Sequence, residues 1–246
     1  LQARLGLPID EDVLAAAITA HRADPSEGLL AGAPGVMLAC LHRLESTGED
    51  RWADLYRATA DAVWDRWRYN DAAGCWLWRQ DLYGDQAHQL GALHGYAGVA
   101  YVFLKGRVLL TPSRQAELIR RIGEAVSVTA LREGSLVNWP FEAGGSAHPG
   151  SGALRVQHCV GAPGMINGLA GLPHDPETDA LLTRAGELIW AAGPLAKHPC
   201  LCHGIPGSGF AFLKLHARTS DAIWLERARA FAMHAIGQNN AFTAFH

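Results

Sequence analysis

An all-α fold with inner and outer helices alternating around a ring, an α/α toroid, is the class this sequence predicts. Two observations carry it. Four Gly-x-x-Gly corners, at Gly32/Gly35, Gly95/Gly98, Gly161/Gly164 and Gly204/Gly207, recur along the 246 residues, and each opens an apolar run. After each run comes a segment with apolar residues at helical spacing among Arg, Asp and Glu. Apolar runs without a polar face suit inner helices, and amphipathic segments suit an outer layer. The corners are 63, 66 and 43 residues apart, too uneven for a short-period solenoid, so insertions must enter on one face. Glycine belongs at such corners because the starts of the inner helices converge and the backbone must approach its neighbours.

The elements follow in order. Residues 9–22 carry Ile9, Val13, Leu14, Ala17 and Ile18 at helical spacing, with Asp10, Glu11 and Asp12 in the first turn, where the helix dipole favours acids. The corner at Gly28 to Gly35 leads into Val36-Met37-Leu38-Ala39-Cys40-Leu41, which reads as a helix buried on all sides. Residues 50–69 form its amphipathic outer partner, through Trp52, Leu55, Tyr56, Ala60, Val63, Trp64 and Trp67. A Gly- and Trp-containing loop spans 74–84, and the second corner opens the apolar run 99–104. Its outer partner covers 112–131, with Pro112 at the start, as helix starts prefer. The polar, Gly-rich stretch 132–153 is too long for an ordinary connection and reads as a lid or mobile segment. The third corner, the outer helix 179–192, the fourth corner and the outer helix 221–236 complete the chain. No strand signal of comparable strength occurs.

Half the chain is apolar, enough for one sizeable core, and we expect a single domain over 1–246. A formal charge of −3 with scattered basic residues gives no footprint for nucleic acid. No apolar run approaches the roughly 18 residues of a membrane span. Five cysteines, an odd number spread over a long chain, argue against a disulfide framework and for a reducing compartment, so the expected location is cytoplasmic. The sequence starts at Leu1 and stops at His246 without an ending signal, as a fragment of a longer chain would.

Chemistry concentrates at two corners. Gln157-His158-Cys159-Val160-Gly161-Ala162-Pro163-Gly164 and Leu201-Cys202-His203-Gly204-Ile205-Pro206-Gly207 share one layout, a chemical residue followed by Gly-x-Pro-Gly. Two cysteines and a histidine are the ligand set of a catalytic zinc, which keeps a fourth position open. Taken one at a time, a buried thiol or a core histidine is the ordinary reading of each, and at this point both readings stand.

Together with Gly28-Leu29-Leu30-Ala31-Gly32-Ala33-Pro34-Gly35 and Leu93-His94-Gly95-Tyr96-Ala97-Gly98, these corners resemble the lanthionine synthetase C-like family, in its order and along nearly the whole chain. The resemblance implies an α/α toroid, a zinc ion held by Cys159, Cys202 and His203, and His94 as the acid/base histidine. Arg155 stands where the lantibiotic cyclases have a basic residue. Departures are visible too. His158 and Val160 flank Cys159 where the family usually has Trp before it and His or Tyr after it. Gly28 stands where the cyclases carry Asp, as in the eukaryotic branch that joins glutathione to dehydrated residues in proteins. The final corner expected near the C-terminus is absent.

The reaction so implied adds a thiol, from a peptide cysteine or from glutathione, to dehydroalanine or dehydrobutyrine, forming a thioether in a dehydrated peptide or protein. It needs thiolate at neutral pH, which a free thiol with a pKa of about 8.5 barely supplies and a metal-bound one does. It also needs a proton for the resulting enolate, and a histidine is the side chain suited to deliver one. Two other functions compete. A toroidal glycoside hydrolase or lyase would need paired carboxylates, for which Asp81, Asp85 and Glu142 are candidates, with Trp76, Trp78 and Trp139 to stack sugars. A non-catalytic module would use zinc merely to hold a thiol. Cys40, Cys75 and Cys200 read as structural thiols, and His158 reads as a neighbour that supports or substitutes for a ligand.

Overall fold

The computed structural model describes residues 9–82, 84–144, 155–194 and 199–243. Helix α1 (Glu11–Ala20) starts where Asp10 accepts hydrogen bonds from the Asp12 and Val13 amides. Two inner–outer pairs follow: α2 (Ala33–Thr47) with α3 (Asp50–Trp64), and α4 (Tyr96–Lys105) with α5 (Pro112–Thr129). Two more are α6 (Ala162–Leu169) with α7 (Pro176–Ala192), and α8 (Ile205–Thr219) with α9 (Ala222–Thr243). Helix α2 packs on α4, α4 on α6 and α6 on α8, the order of successive inner staves of a toroid. The mainly helical, inner–outer architecture read from the corners is therefore the one observed.

Several boundaries differ from the sequence reading, each for a local reason. Helix α3 ends at Trp64 rather than continuing to residue 69. The chain turns there so that Trp67 is buried and stacks on Trp78, with ring centroids 4.1 Å apart and planes 13° from parallel. Helix α7 starts at Pro176, three residues early, because Asp175 caps the Glu177 and Thr178 amides and proline suits the first helical turn. In α2, Met37, Cys40 and Leu41 are buried, whereas Val36, Leu38 and Ala39 are only partly covered, so this helix has an open face that the apolar run did not predict.

Among the described residues, three short hairpins interrupt the helices. They pair β1 (Arg68–Asn70) with β2 (Cys75–Leu77), β3 (Gln80–Leu82) with β4 (Asp85–Ala87), and β5 (Leu131–Glu133) with β6 (Leu136–Asn138), all antiparallel. The sequence reading had no strands here: it ran outer helices through residues 68–69 and 131 and had loops over 74–84 and 132–153. Three-residue strands are too short to show alternation, and the turns carry the signal instead: Gly74, Gly84 and Gly134 all take positive φ. The stretch 132–153, expected as a lid, begins as β5–β6, and its residues 145–153 lie outside the described residues, as does His198.

One apolar cluster runs from Ile18 to Ala235 between the layers. Part of it is aromatic, with Trp78 against Trp67, Tyr96 and Phe103, and Trp67 also against Tyr96. Among the described residues no helix is long and apolar enough to cross a membrane.

The corners share one packing rule. The second glycine of each, Gly35, Gly98, Gly164 and Gly207, faces the carbonyl six residues earlier. A Cβ there would stand 2.6, 2.2, 2.1 and 2.5 Å from the oxygens of Leu29, Ala92, His158 and Leu201. Real Cβ contacts stop near 3.0 Å, so the loop can fold back on its own helix start only if a hydrogen replaces the side chain.

Candidate metal centre

Backbone contacts join the corners into a rim. The Leu29 and Leu30 amides donate to the Leu93 carbonyl at 2.9 and 3.3 Å, tying the first corner to the second. Gly91 lies against the Cys159 carbonyl, where a Cβ would come to 1.6 Å. The Cys159 amide donates to the Cys202 carbonyl at 3.2 Å, tying the third corner to the fourth. This last bond brings together two residues 43 positions apart, each just ahead of its inner helix.

Around it the Cys159 and Cys202 sulfurs and a His203 ring nitrogen all lie within 4.8 Å of one another. Cys202 Sγ and His203 Nε2 are 3.8 Å apart, near the roughly 3.6 Å that tetrahedral Zn–S and Zn–N bonds of about 2.3 and 2.0–2.1 Å would set. The donor set fits zinc. Burial first, and then Cys202 beside it, push the Cys159 thiol up to about 12. Two thiolates so close are stable only beside a cation, which a metal would provide. Cys200, read from sequence as a buried thiol, is instead exposed and outside the group, whereas Cys40 and Cys75 are buried, their thiols raised by burial to about 12 and about 11.

The other candidates fall around this group. The Arg155 side chain is exposed, and its charge pulls the Cys159 thiol back down, as the smallest of the influences on it. His94 is half-buried on the second corner, and its Nδ1 is buried without a partner among the described residues. It is not one of the three gathered ligands. Gly28 abuts that histidine's backbone: a Cβ there would stand 2.9 Å from Leu93 O and 3.2 Å from His94 Cα. An aspartate at this position would therefore require the two corners to separate.

Three polar residues that the sequence reading left without a role hold the centre in place. Asn138, buried at the end of β6, accepts from the Ala162 and Trp139 amides at 2.8 and 2.9 Å and donates to Arg155 O at 3.3 Å, clamping the third corner. Gln157 Oε1 lies 3.6 Å from Cys159 Sγ. Asn167 on α6 links His158 Nδ1 and Gly207 O, each at 3.0 Å. Burial lowers the pKa of His158. None of the three shows in periodicity, and for Asn138 and Asn167 the partners include groups on other corners.

The carbohydrate reading loses its platforms. Trp78 and Trp139 are fully buried, their indole N–H groups bonded to Val63 O and Val126 O. Trp76 lies under the Arg121 guanidinium, 3.4 Å from the ring centroid. Of the carboxylates, Glu142 accepts from the His88 amide and Asp81 from Gln86.

Known proteins are similar to this chain. A segment of 148 residues is 30% identical to the LanC-like protein GCL1 of Arabidopsis thaliana, covering 58% of this chain and 32% of that protein. Another of 153 residues is 31% identical to the zebrafish (Danio rerio) Glutathione S-transferase LANCL1, covering 60% of this chain and 35% of that one. The matched regions thus span about a third of the length of these curated relatives. The family model of lanthionine synthetase C-like proteins matches residues 28–243, from the first corner through the last helix, and the chain belongs to that family.

Proposed function

We propose that this chain carries a zinc-dependent centre that adds a thiol to a dehydrated residue, forming a thioether. The observation that supports it most is the gathering of Cys159, Cys202 and His203 from two neighbouring corners in a chain of this family. Zinc, when bound there, supplies a thiol held as its thiolate at neutral pH. Three protein ligands leave one position for that thiol. In the reaction the sulfur bonds to the β-carbon, the π electrons move to the carbonyl oxygen as an enolate, and the α-carbon takes up one proton, matching the one the thiol gave up. His94 is the residue we assign to deliver that proton, and Arg155 favours negative charge beside Cys159.

The thiol we favour is glutathione. Gly28 closes the position where the cyclases carry an acid, and the relative named a glutathione S-transferase aligns over 60% of this chain.

The test is direct. Purified protein should contain one zinc per chain, Cys202→Ala should lose it, and a dehydroalanine peptide with glutathione should yield the thioether faster than without protein, read by mass spectrometry. His94→Asn should keep zinc and lose most of the rate. Full zinc without product with either glutathione or an internal cysteine would reduce the function to thiol binding, and a metal-free wild type would refute the centre.

A further inference from the structure

The two sulfur ligands of the centre also meet the geometric demands of a disulfide. The Cys159 amide donates to the Cys202 carbonyl at 3.2 Å. Such a bond holds two Cα atoms roughly 5–6 Å apart, as between bonded residues of a sheet, inside the roughly 4.4–6.8 Å that disulfides span. Both side chains point to one place, since the two sulfurs and a His203 ring nitrogen lie within 4.8 Å of one another. Closing from that separation to the roughly 2.0 Å of an S–S bond is within the reach of χ1 rotation at the two residues.

The backbone keeps this pair together with or without a metal. Gly91 seats the Cys159 carbonyl against the second corner, and the Cys159 amide is bonded across to the fourth, so both sides of that residue are held. The other thiols are placed differently. Cys40 and Cys75 are fully buried. Cys200 is two residues from Cys202 along the chain, but it is exposed and outside the gathered group.

We propose that Cys159 and Cys202 form an oxidation site, which a hydroperoxide closes into a disulfide, releasing the metal and stopping thiol activation until a dithiol reopens it. One sulfur attacks the peroxide, the O–O bond breaks, and the products are a sulfenic acid and water or an alcohol. The second sulfur attacks the sulfenic sulfur, the S–S bond forms and a second water leaves. Over both steps the two thiols give up two hydrogens and two electrons, which reduce the peroxide. Metals bind thiolates, and a disulfide offers none, so His203 alone of the three ligands remains.

The consequence for zinc rests on the metal-centre reading, whereas the bond itself does not, and the experiment separates the two. Zinc-loaded and metal-free samples of wild type and Cys200→Ser are treated with hydrogen peroxide. Free thiols in denaturant, released zinc and unreduced tryptic peptides are then measured. Cys200→Ser, which lacks the exposed thiol, should lose two of its four remaining thiols, and the loaded sample should release zinc in step. Trypsin cuts after Arg155, Arg184, Lys197 and Lys214, so Cys159 is separated from Cys200 and Cys202. The product should link peptide 156–184 to peptide 198–214 in both proteins, and dithiothreitol with zinc should restore the thiols and the metal. Closure within peptide 198–214, seen as a loss of two hydrogens without a link, would overturn the site. So would a link that disappears in Cys200→Ser, or thiols consumed as sulfinic acid with no link. A link formed while zinc stays bound would overturn the release. Protein free of zinc before oxidation would refute the centre, and the metal-free sample would still decide the bond.

Discussion

Gly91→Ala tests whether the rim is one mechanical unit. Gly91 belongs to the second corner, yet the atom nearest its missing side chain is the carbonyl oxygen of Cys159, at 1.6 Å from where a Cβ would stand. The closest tolerable contact is near 3.0 Å, so one backbone must retreat by ~1.4 Å. Neither side is a flexible side chain that can swing away. Overpacking of this kind costs typically about 1–3 kcal/mol, and we expect the upper end. For a chain of this size, 3 kcal/mol lowers Tm by roughly 6–12 °C. The displaced residue also presents a proposed sulfur ligand, and its amide bonds to Cys202 O. Zinc affinity should therefore fall about 10–100-fold, the range seen when groups that orient ligands are lost, although all three ligands remain. Calorimetry gives the first number and competition with a chromogenic chelator the second. Gly123→Ala is the control: it sits inside α5 with nothing within 4 Å of its added Cβ, and it should gain about 0.5–1 kcal/mol. Wild-type Tm in Gly91→Ala would refute the close approach, and a lowered Tm with unchanged zinc affinity would refute the coupling of the corners to the centre.

Further outcomes follow from other groups. Glu27 is buried, at φ 47, and pairs with Arg66. Burial raises its carboxyl from the ordinary 4.5 to about 7, against the opposing pull of Arg66. Between those values the folded chain holds a proton that the unfolded chain has released, so stability should fall as pH rises from about 4.5 to 7, by up to about 3 kcal/mol. Glu27→Gln should remove that loss, raising Tm at pH 8 and leaving it unchanged at pH 4; a parallel shift at both would refute the assignment. Asn138→Leu, which strands the Ala162 amide and Arg155 O, should cost about 1–3 kcal/mol per stranded group in urea titrations and weaken zinc binding, whereas a variant with wild-type midpoint and zinc affinity would show that the clamp is dispensable. Asp175→Ala removes the cap of α7 and should cost about 1 kcal/mol without touching zinc content.

How much of this could be read beforehand depended on whether the cause was local. The four corners announce themselves because the second glycine of each answers to a carbonyl six residues earlier in its own loop, as Gly164 does to His158, so the constraint repeats as a pattern within a short window. The outer helices announce themselves through a 3.6-residue period that needs no partner to be visible. Residue type and layout made Cys159, Cys202 and His203 a candidate ligand set, beside the ordinary reading of each as a buried thiol or a core histidine.

Their approach to within 4.8 Å was decided by tertiary structure: it depends on one backbone bond from Cys159 to Cys202 and on Gly91 admitting the third corner against the second. The hairpins escaped notice because three residues show no alternation. Asn138, Glu27 and Asn167 escaped because a polar residue in a loop or helix reads as solvated until its partners are known. For Asn167 the partners are His158, nine residues before it, and Gly207, forty after it. Residue types and periods determined which helices form and which side chains can do chemistry here. Which of those side chains meet came from contacts between distant segments, since a hydrogen bond has direction and needs both of its ends in place.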